Sequence, residues 1–314
     1  MTNPVLVCGS VAFDTIARFE GHFKDHFLPE KLHAISVSFL VPSMRRDFGG
    51  CAGNIAYGMS LLGGSALPVA TVGEDAGDYL DHLKSCGVDV SRIRVVKDTL
   101  TAQCYITTDL DNNQITAFHP GAMAFSAEND LTGTQARWAI VAPDSKEGMF
   151  AHAAKLHELG IPFIFDLGQA MPLFDGADLA RMLKLADALT VNDYEAGVVE
   201  SRMGKSIQEI ARGLKAVVVT RGAEGATLYE NGKEFPIAAV KAGEIVDPTG
   251  CGDAHRAGVL FGLTQNWSWL DSCKLGNLMG ALKIAYKGPQ GCTLGRQEIA
   301  AQLQAAYSLT LPEA

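Results

Sequence analysis

Short apolar runs that alternate with helix-like segments are the feature that most constrains how this chain can fold. The runs are mostly β-branched or aromatic and suit strands buried on both faces of a sheet. Between them, apolar residues recur at helical spacing, for example at residues 75–86, 149–159 and 177–186. Such alternation predicts right-handed βαβ units and a mainly parallel sheet covered on both faces. The predicted strands are residues 5–8, 67–72, 138–142, 163–165, 188–191 and 216–220.

Two stretches interrupt the alternation and predict a second, smaller sheet. Residues 15–47 contain several short alternating runs, such as 33–40, and residues 98–122 contain two runs around a polar turn. We expect them to form one small β-sheet that acts as a lid, although two ordinary surface excursions would give the same pattern. The two runs are residues 103–108 and 114–119, and the turn between them contains Asp111, Asn112 and Asn113.

Composition and charge exclude several classes of protein. Hydrophobic residues make up 47% of the 314 residues, which is ample for a large core. A net charge of −9 without a basic run argues against a nucleic-acid partner. Seven cysteines without a C-x-x-C pair indicate a reduced, cytoplasmic protein. The N-terminus does not resemble a signal peptide, and no apolar run approaches the ~18 residues that a membrane span requires.

Residues 247–254, Asp-Pro-Thr-Gly-Cys-Gly-Asp-Ala, lead directly into a helix-like segment. Gly250 and Gly252 let backbone N–H groups approach an anion, and the helix dipole adds positive potential there. The same dipole favours Asp253 in the first turn, where a carboxylate facing a substrate hydroxyl could act as a general base. Spacing alone does not separate this function from an ordinary glycine-rich loop before a helix.

Residues 249–253 resemble the second signature of the ribokinase, or PfkB, family of carbohydrate and nucleoside kinases. The resemblance implies that Asp253 is the catalytic base and that the amides of Gly250, Cys251 and Gly252 form an anion hole. It implies ATP and Mg²⁺ as cofactors and one domain spanning residues 1–314. The implied fold is α/β, a ribokinase-like three-layer α/β/α sandwich with a mainly parallel central sheet and a small β-sheet lid.

Residues 49–56 are similar to the family's first signature, a Gly-Gly pair followed by Asn and an apolar helix. Gly49 and Gly50 would let a ligand touch the backbone, and Asn54 offers a donor and an acceptor to a sugar hydroxyl. A tight turn before a helix would look the same. Ser10 and Asp14 follow the first strand, where the family places an Asp that accepts hydrogen bonds from two sugar hydroxyls, although Asp14 could be only a turn residue.

Three further segments resemble the nucleotide-binding elements of the family. Residues 192–195 match its N-x-x-E motif, in which Glu195 would act on Mg²⁺ indirectly, since oxygen ligands suit a hydrated Mg²⁺. Residues 220–225 resemble its T-x-G-x-x-G loop. Asn277, on a later helix, matches a position that lines the nucleotide pocket in the family. The expected ATP-binding residues are Asn192, Glu195, Thr220, Gly222, Gly225 and Asn277.

The substrate is harder to predict than the reaction. Residues 43–48, 101–103 and 114–123 look similar to bacterial adenosine kinases of this family. A purine needs a stacking face, for which Phe118 is the candidate with Phe13 behind it, although both could belong to the lid core. The expected reaction is phosphorylation of the 5′-hydroxyl of adenosine to AMP, as in purine salvage. The alternatives are inosine or guanosine, a free sugar such as ribose or fructose, and a non-catalytic nucleoside or sugar sensor.

Two expectations concern ions and assembly. Many members of the family need K⁺ near the anion hole, and Asp247 and Thr249 lie where that site would be, with the carbonyls of residues 288–293 to complete it. The edges of an exposed lid sheet could pair across a dimer, so we expect a monomer or a homodimer that binds small molecules and no membrane.

Overall fold

The computed structural model describes residues 4–27, 36–111 and 113–312. The six strands predicted from apolar runs lie together in a sheet of nine strands, and each predicted boundary is within one residue of the observed one. In order across the sheet the strands are β13 (Lys233–Ile237), β12 (Ala226–Glu230), β11 (Ala216–Thr220), β10 (Ala188–Asn192), β9 (Phe163–Asp166), β8 (Trp138–Val141), β1 (Val5–Cys8), β4 (Ala66–Val72) and β5 (Ile93–Val95).

The sheet is parallel from β5 to β11 and ends in an antiparallel hairpin formed by β12 and β13. The connection within this hairpin is Asn231-Gly232, both with positive φ, at 52° and 73°. A two-residue turn of this kind matches the twist of two antiparallel strands. The sequence reasoning did not predict β5, β12 or β13, although Asn-Gly between two runs is a standard hairpin signal.

Helices cover both faces of the sheet. Alternate residues of each central strand face opposite cores, so that Val5 and Val7 pack in one cluster and Leu6 and Cys8 in the other. One face carries α1 (Cys51–Leu61), α2 (Gly77–Ser85), α7 (Cys251–Thr264), α8 (Trp269–Lys283) and α9 (Arg296–Tyr307). The other carries α3 (Lys146–Glu158), α4 (Gly176–Leu185), α5 (Asp193–Met203) and α6 (Ile207–Ala211). Among the helices that the structure describes, none combines the length and the apolar character needed to cross a bilayer.

A second sheet of four strands stands beside this body, in the order β3 (Ser43–Gly49), β2 (Ala12–Arg18), β6 (Ala102–Thr108) and β7 (Gln114–His119). The predicted fold, a three-layer sandwich with a small additional sheet, is therefore confirmed. The run at 33–40 is not a strand over residues 36–40, and residues 33–35 and Asn112 of the predicted turn lie outside the described residues. β2 pairs with β6 on one side and with β3 on the other, and β3 ends at Gly49, directly before Gly50 and α1.

Candidate active site

Asp253 is the third residue of α7, directly after the glycine-rich turn. Gly250 has φ of 81°, and a Cβ there would lie 2.8 Å from the Cβ of Pro289, so both the backbone conformation and the space require glycine. The N–H of Cys251 donates to the carbonyl of Pro248 at 3.1 Å. Gly252 and Asp253 occupy the first helical turn, where N–H groups lack a carbonyl of the helix and face the positive end of its dipole.

Asp253 meets the first signature segment directly. The Nδ2 of Asn54, in α1, donates to its Oδ2 at 2.8 Å. Burial raises the pKa of Asp253 to about 6, although the hydrogen bond from Asn54 and the charge of Arg256 both lower it. At neutral pH this carboxylate is still ionised, but it is a stronger base than an ordinary aspartate, as general-base catalysis requires.

Asp14 lies beside the Gly-Gly pair on the neighbouring strands of the small sheet. A Cβ on Gly49 would lie 2.3 Å from the Oδ2 of Asp14, so any larger residue at this position would displace the carboxylate. Burial raises the pKa of Asp14 to about 6, and the carboxylates of Asp47 and Asp253 raise it further. Ser10 accepts the N–H of Cys51 at 3.1 Å through its Oγ and so holds the start of α1. Its predicted substrate contact stays a prediction.

A hydrogen-bonded chain that the sequence reasoning missed supports Asn54. The Nε2 of Gln290 donates to the Oδ1 of Asn54 at 3.0 Å and to the hydroxyl of Tyr79 at 2.5 Å. That hydroxyl donates to the carbonyl of Gly49 at 2.6 Å. Because its Oδ1 is engaged, Asn54 presents its NH₂ group to Asp253. Gln290 lies in residues 288–293, the segment whose carbonyls were predicted to complete a K⁺ site.

A buried ion pair lies beneath the glycine-rich turn and was also missed. Arg256, in α7, donates through Nη2 to the Oδ1 of Asp166 at 2.7 Å and through Nε to its Oδ2, and Asp166 is 2% exposed. Its Nη1 donates to the carbonyl of Gly252 at 3.1 Å. Burial alone would lower the pKa of Arg256, but the Asp166 carboxylate raises it. The signal that could have found Asp166 is its position at the carboxyl end of β9, where sites in parallel sheets gather.

Asn192 and Glu195 form a capping box at the start of α5. The Oδ1 of Asn192 accepts the N–H of Glu195 at 2.8 Å, and the Oε2 of Glu195 accepts the N–H of Asn192 at 2.8 Å. Burial raises the pKa of Glu195, as does the charge of Asp166. This local arrangement explains the N-x-x-E spacing by itself, and the predicted role toward Mg²⁺ and phosphate stays a prediction.

The predicted nucleotide loop lies where β11 turns into β12, and Asn277 of α8 shares one neighbour with it, the end of β13. A Cβ on Gly225 would lie 2.1 Å from the carbonyl oxygen of Ile237. The Nδ2 of Asn277 donates to that same carbonyl at 3.3 Å. Thr220 ends β11, and Gly222 follows with φ of 54° and open space around its Cα. The structure therefore brings Gly225 and Asn277 to the same carbonyl group, near the carboxyl end of β11. The nucleotide contacts of the four residues stay predictions.

Asp247 is fully engaged by its neighbours. Its carboxylate accepts the N–H of Thr249 at 2.9 Å, the N–H of Gly288 at 3.0 Å and the Nη2 of Arg45 at 2.8 Å. Burial alone would raise the pKa of Asp247, but the N–H groups of Gly288 and Thr249 outweigh it and hold the pKa at about 2. The carboxylate thus joins the small sheet, the glycine-rich turn and the loop after α8.

The two aromatic residues predicted to contact a base have different surroundings. Phe118, on β7, is 52% exposed. Phe13 is 1% exposed and packs against Phe48 and Tyr79, with the guanidinium of Arg46 3.4 Å from its ring centre. In this structure Phe13 therefore belongs to the core under the small sheet rather than to an open face. His255, two residues after Asp253, is buried against Gly276, and burial lowers its pKa to about 3.

Comparisons with known proteins show which proteins the whole chain resembles. A model described as the pfkB family carbohydrate kinase matches residues 5–294. The nucleoside kinase of Burkholderia thailandensis, solved in complex with inosine, is 49% identical with a TM-score of 0.89, over 98% of this chain and 99% of that one. Its complex with ADP-inosine is 50% identical with a TM-score of 0.86, over 98% of this chain and 97% of that one. The nucleoside kinase of Methanothermobacter thermautotrophicus is 30% identical over 82% of this chain and 81% of its own length.

Proposed function

The chain belongs to the pfkB family of carbohydrate kinases, and from that premise we propose that it transfers the γ-phosphate of ATP to the 5′-hydroxyl of a ribonucleoside. The observation that carries the proposal is the hydrogen bond from the Nδ2 of Asn54 to the Oδ2 of Asp253, 2.8 Å long, at the first turn of α7. A carboxylate with a raised pKa beside unpaired helix N–H groups is suited to deprotonate a hydroxyl next to a polyphosphate.

In the proposed reaction, Asp253 takes the proton of the 5′-hydroxyl while the hydroxyl oxygen attacks the γ-phosphorus in line. The bond from that phosphorus to the oxygen bridging the β- and γ-phosphates breaks, and ADP leaves. Of the predicted anion hole, the N–H groups of Gly250 and Gly252 stabilise the charge on the transferring group, together with the dipole of α7. The N–H of Cys251, its third member, donates to the carbonyl of Pro248 in this structure. Asp14 and Asn54 hold the ribose hydroxyls, with the carboxylate accepting from a diol.

Glu195 fits the role of an indirect Mg²⁺ partner. One of its carboxylate oxygens, Oε2, is engaged by the capping box, so its second oxygen can accept from a water of a hydrated ion. Mg²⁺, when bound with ATP, supplies charge neutralisation to the phosphates. Thr220, Gly222, Gly225 and Asn277 would hold the nucleotide at the edge where β11 ends.

We propose purine ribonucleosides as acceptors, with adenosine as the first candidate. Inosine is the second, because the Burkholderia thailandensis kinase, 49% identical to this chain, was solved with it. The two bases differ at position 6, where adenosine carries a hydrogen-bond donor and inosine an acceptor. A site built to pair with one of these groups discriminates strongly against the other, whereas a stacking face such as Phe118 accepts both.

The test is ADP release from Mg-ATP by the purified protein with adenosine, inosine, guanosine, ribose and fructose, compared through kcat/KM. Turnover with nucleosides and little with free sugars supports the proposal, and the ratio of adenosine to inosine identifies the preferred base. Preference for ribose or fructose would overturn the nucleoside assignment while keeping Asp253 as the base. Nucleoside binding without ADP release would instead favour a sensor.

A further inference from the structure

Lys283 is the last residue of α8, yet its side chain is only 2% exposed. Lysine is rarely buried to this extent without partners, because burial removes the water that solvates its charge. Its Nζ donates to the backbone carbonyl of Asp247 at 2.8 Å and to that of Tyr286 at 3.2 Å. Burial lowers the pKa of Lys283, and the charge of Asp247 opposes that change. The ammonium group is therefore held between two loops inside the protein.

Both loops carry parts of the candidate active site. Asp247 begins the segment that ends in Asp253. The loop after Tyr286 brings Pro289 against Gly250 and places the Nε2 of Gln290 3.0 Å from the Oδ1 of Asn54. A movement of either loop would displace the glycine-rich turn or the contact between Asn54 and Asp253. The ammonium group joins the two loops at their backbones, directly behind the turn.

We propose that Lys283 supplies a built-in cation, which holds these two carbonyls together and so positions the glycine-rich turn for phosphate transfer. Backbone carbonyl oxygens that converge on one point are also good ligands for a free monovalent cation. Because the lysine nitrogen already donates hydrogen bonds to both carbonyls, turnover does not require K⁺. The inference rests on the proposed function, makes Lys283 a positioning residue, and competes with the K⁺ site predicted at Asp247 and Thr249.

A small cavity that Lys283 helps to line supports a chemical test. It measures about 10 Å³, and its lining includes Lys283, Asn54, Ala254 and Pro289. Replacing Lys283 with Met keeps most of the apolar stem and removes the ammonium nitrogen, so the change adds space to a region that already contains this cavity. A cation of similar size to the lost group, such as NH₄⁺ or K⁺, then has both room and carbonyl ligands.

The experiment measures kcat and nucleoside KM for the wild-type protein and for Lys283→Met at constant ionic strength, with choline, Li⁺, K⁺ or NH₄⁺ as the monovalent cation. We expect wild-type kcat to be the same with all four cations. In choline, Lys283→Met should lose about 10-fold or more in kcat with little change in KM, because a preorganised charge-stabilising turn is disturbed. NH₄⁺ or K⁺ should restore most of the loss, and Li⁺ should not. Lys287→Met, which removes an exposed lysine of the same loop, is the matched control.

Three results would overturn the proposal: strong stimulation of the wild type by K⁺, undiminished kcat of Lys283→Met in choline, or a folded Lys283→Met that no cation rescues. If the variant does not fold, the cation series on the wild type decides alone. A melting-temperature series separates this proposal from the proposed function. NH₄⁺ should raise the Tm of Lys283→Met relative to choline and leave that of the wild type unchanged, even if no nucleoside is turned over.

Discussion

At the scale of single residues, the raised pKa of Asp253 favours catalysis at the expense of stability. Burial raises its pKa to about 6, so its ionised form is disfavoured in the folded protein. The folded state therefore binds more protons than the unfolded chain between the ordinary aspartate pKa and about 6, and this contribution to stability is lost as the pH rises through about 6. A residue kept at such a cost is a candidate functional group.

The first prediction concerns the Asp253→Asn variant. We expect kcat to fall by ~10² or more with a small change in nucleoside KM, because the amide cannot accept the proton. At pH 7.5 the variant should melt no lower than the wild type, since a disfavoured charge has been removed. Steady-state kinetics and thermal unfolding check both.

The matched control is Asp271→Asn, because Asp271 is likewise the third residue of its helix, α8. This change should leave kcat unaltered. Near-normal turnover of Asp253→Asn would remove Asp253 from the role of base.

The second prediction concerns pH. Asp14 and Asp253 both have a pKa raised to about 6, so kcat/KM should fall as the pH drops through about 6. The two carboxylates interact, and the profile reports them as a pair. In Asp14→Asn the loss of one negative charge should lower the pKa of Asp253 and move the acid limb to lower pH. An acid limb that does not move in this variant would point to ionisation of a substrate phosphate instead.

At the scale of elements, α7 is held to the sheet by the ion pair of Arg256 with Asp166 at the end of β9. Both side chains are buried, and Arg256 also donates to the carbonyl of Gly252. The pair therefore fixes the height of the glycine-rich turn above the sheet. Desolvation offsets much of the attraction within such a pair, so its main effect on the fold appears when one partner is removed.

The third prediction is that Arg256→Met destabilises the protein by about 3–5 kcal/mol, because it leaves Asp166 charged and buried. Urea unfolding followed by circular dichroism measures the change. The double variant Arg256→Met with Asp166→Leu should recover much of the lost stability. If the single variant loses less than about 1 kcal/mol, as expected for a surface pair, the pair is not the anchor of α7.

At the scale of the whole molecule, the small sheet is tied to the body through Arg45 on β3. Its Nε lies 2.9 Å from Asp47 of the same strand, and its Nη2 lies 2.8 Å from Asp247 before α7. The same sheet carries Asp14 and runs into Gly49 and Gly50. The position of the sheet is thus coupled to the turn beside Asp253, as a lid that closes over a nucleoside would require.

The fourth prediction follows from this tie. Arg45→Met should raise the nucleoside KM by about 10-fold and affect kcat less, because substrate binding must then order the small sheet without the ion pair. Asp247 keeps its hydrogen bonds from Thr249 and Gly288, so the turn itself should persist. Initial-rate kinetics measure the split between KM and kcat. Arg18→Met, at an exposed position of β2, is the control, and an equal rise in KM for both variants would contradict a specific role for Arg45.

What the sequence determined by itself is local. Apolar runs of three to six residues specified the buried strands within one residue, because strand and helix periods are set by side-chain direction alone. The glycines around Cys251 and the acid after them likewise predicted a turn and a helix start, since φ and the helix dipole act over a few residues. Short or weakly apolar strands such as β5 and β13 carry little of this signal and were missed.

The tertiary structure decided which of these local features meet. Asn54 and Asp253 are 199 residues apart in the chain, and Gln290 and Asn54 are 236 apart. Such contacts depend on the order of the strands in the sheet and on how closely α1, α7 and the loop after α8 approach one another. The periodicity of apolar residues along the chain predicts neither. The roles of Asp166 and Lys283 are visible only in the tertiary structure, because a charged residue stands out from the others only when it is known to be buried. The physical reason is that patterns along the chain report local backbone preference, whereas chemistry depends on packing between distant segments.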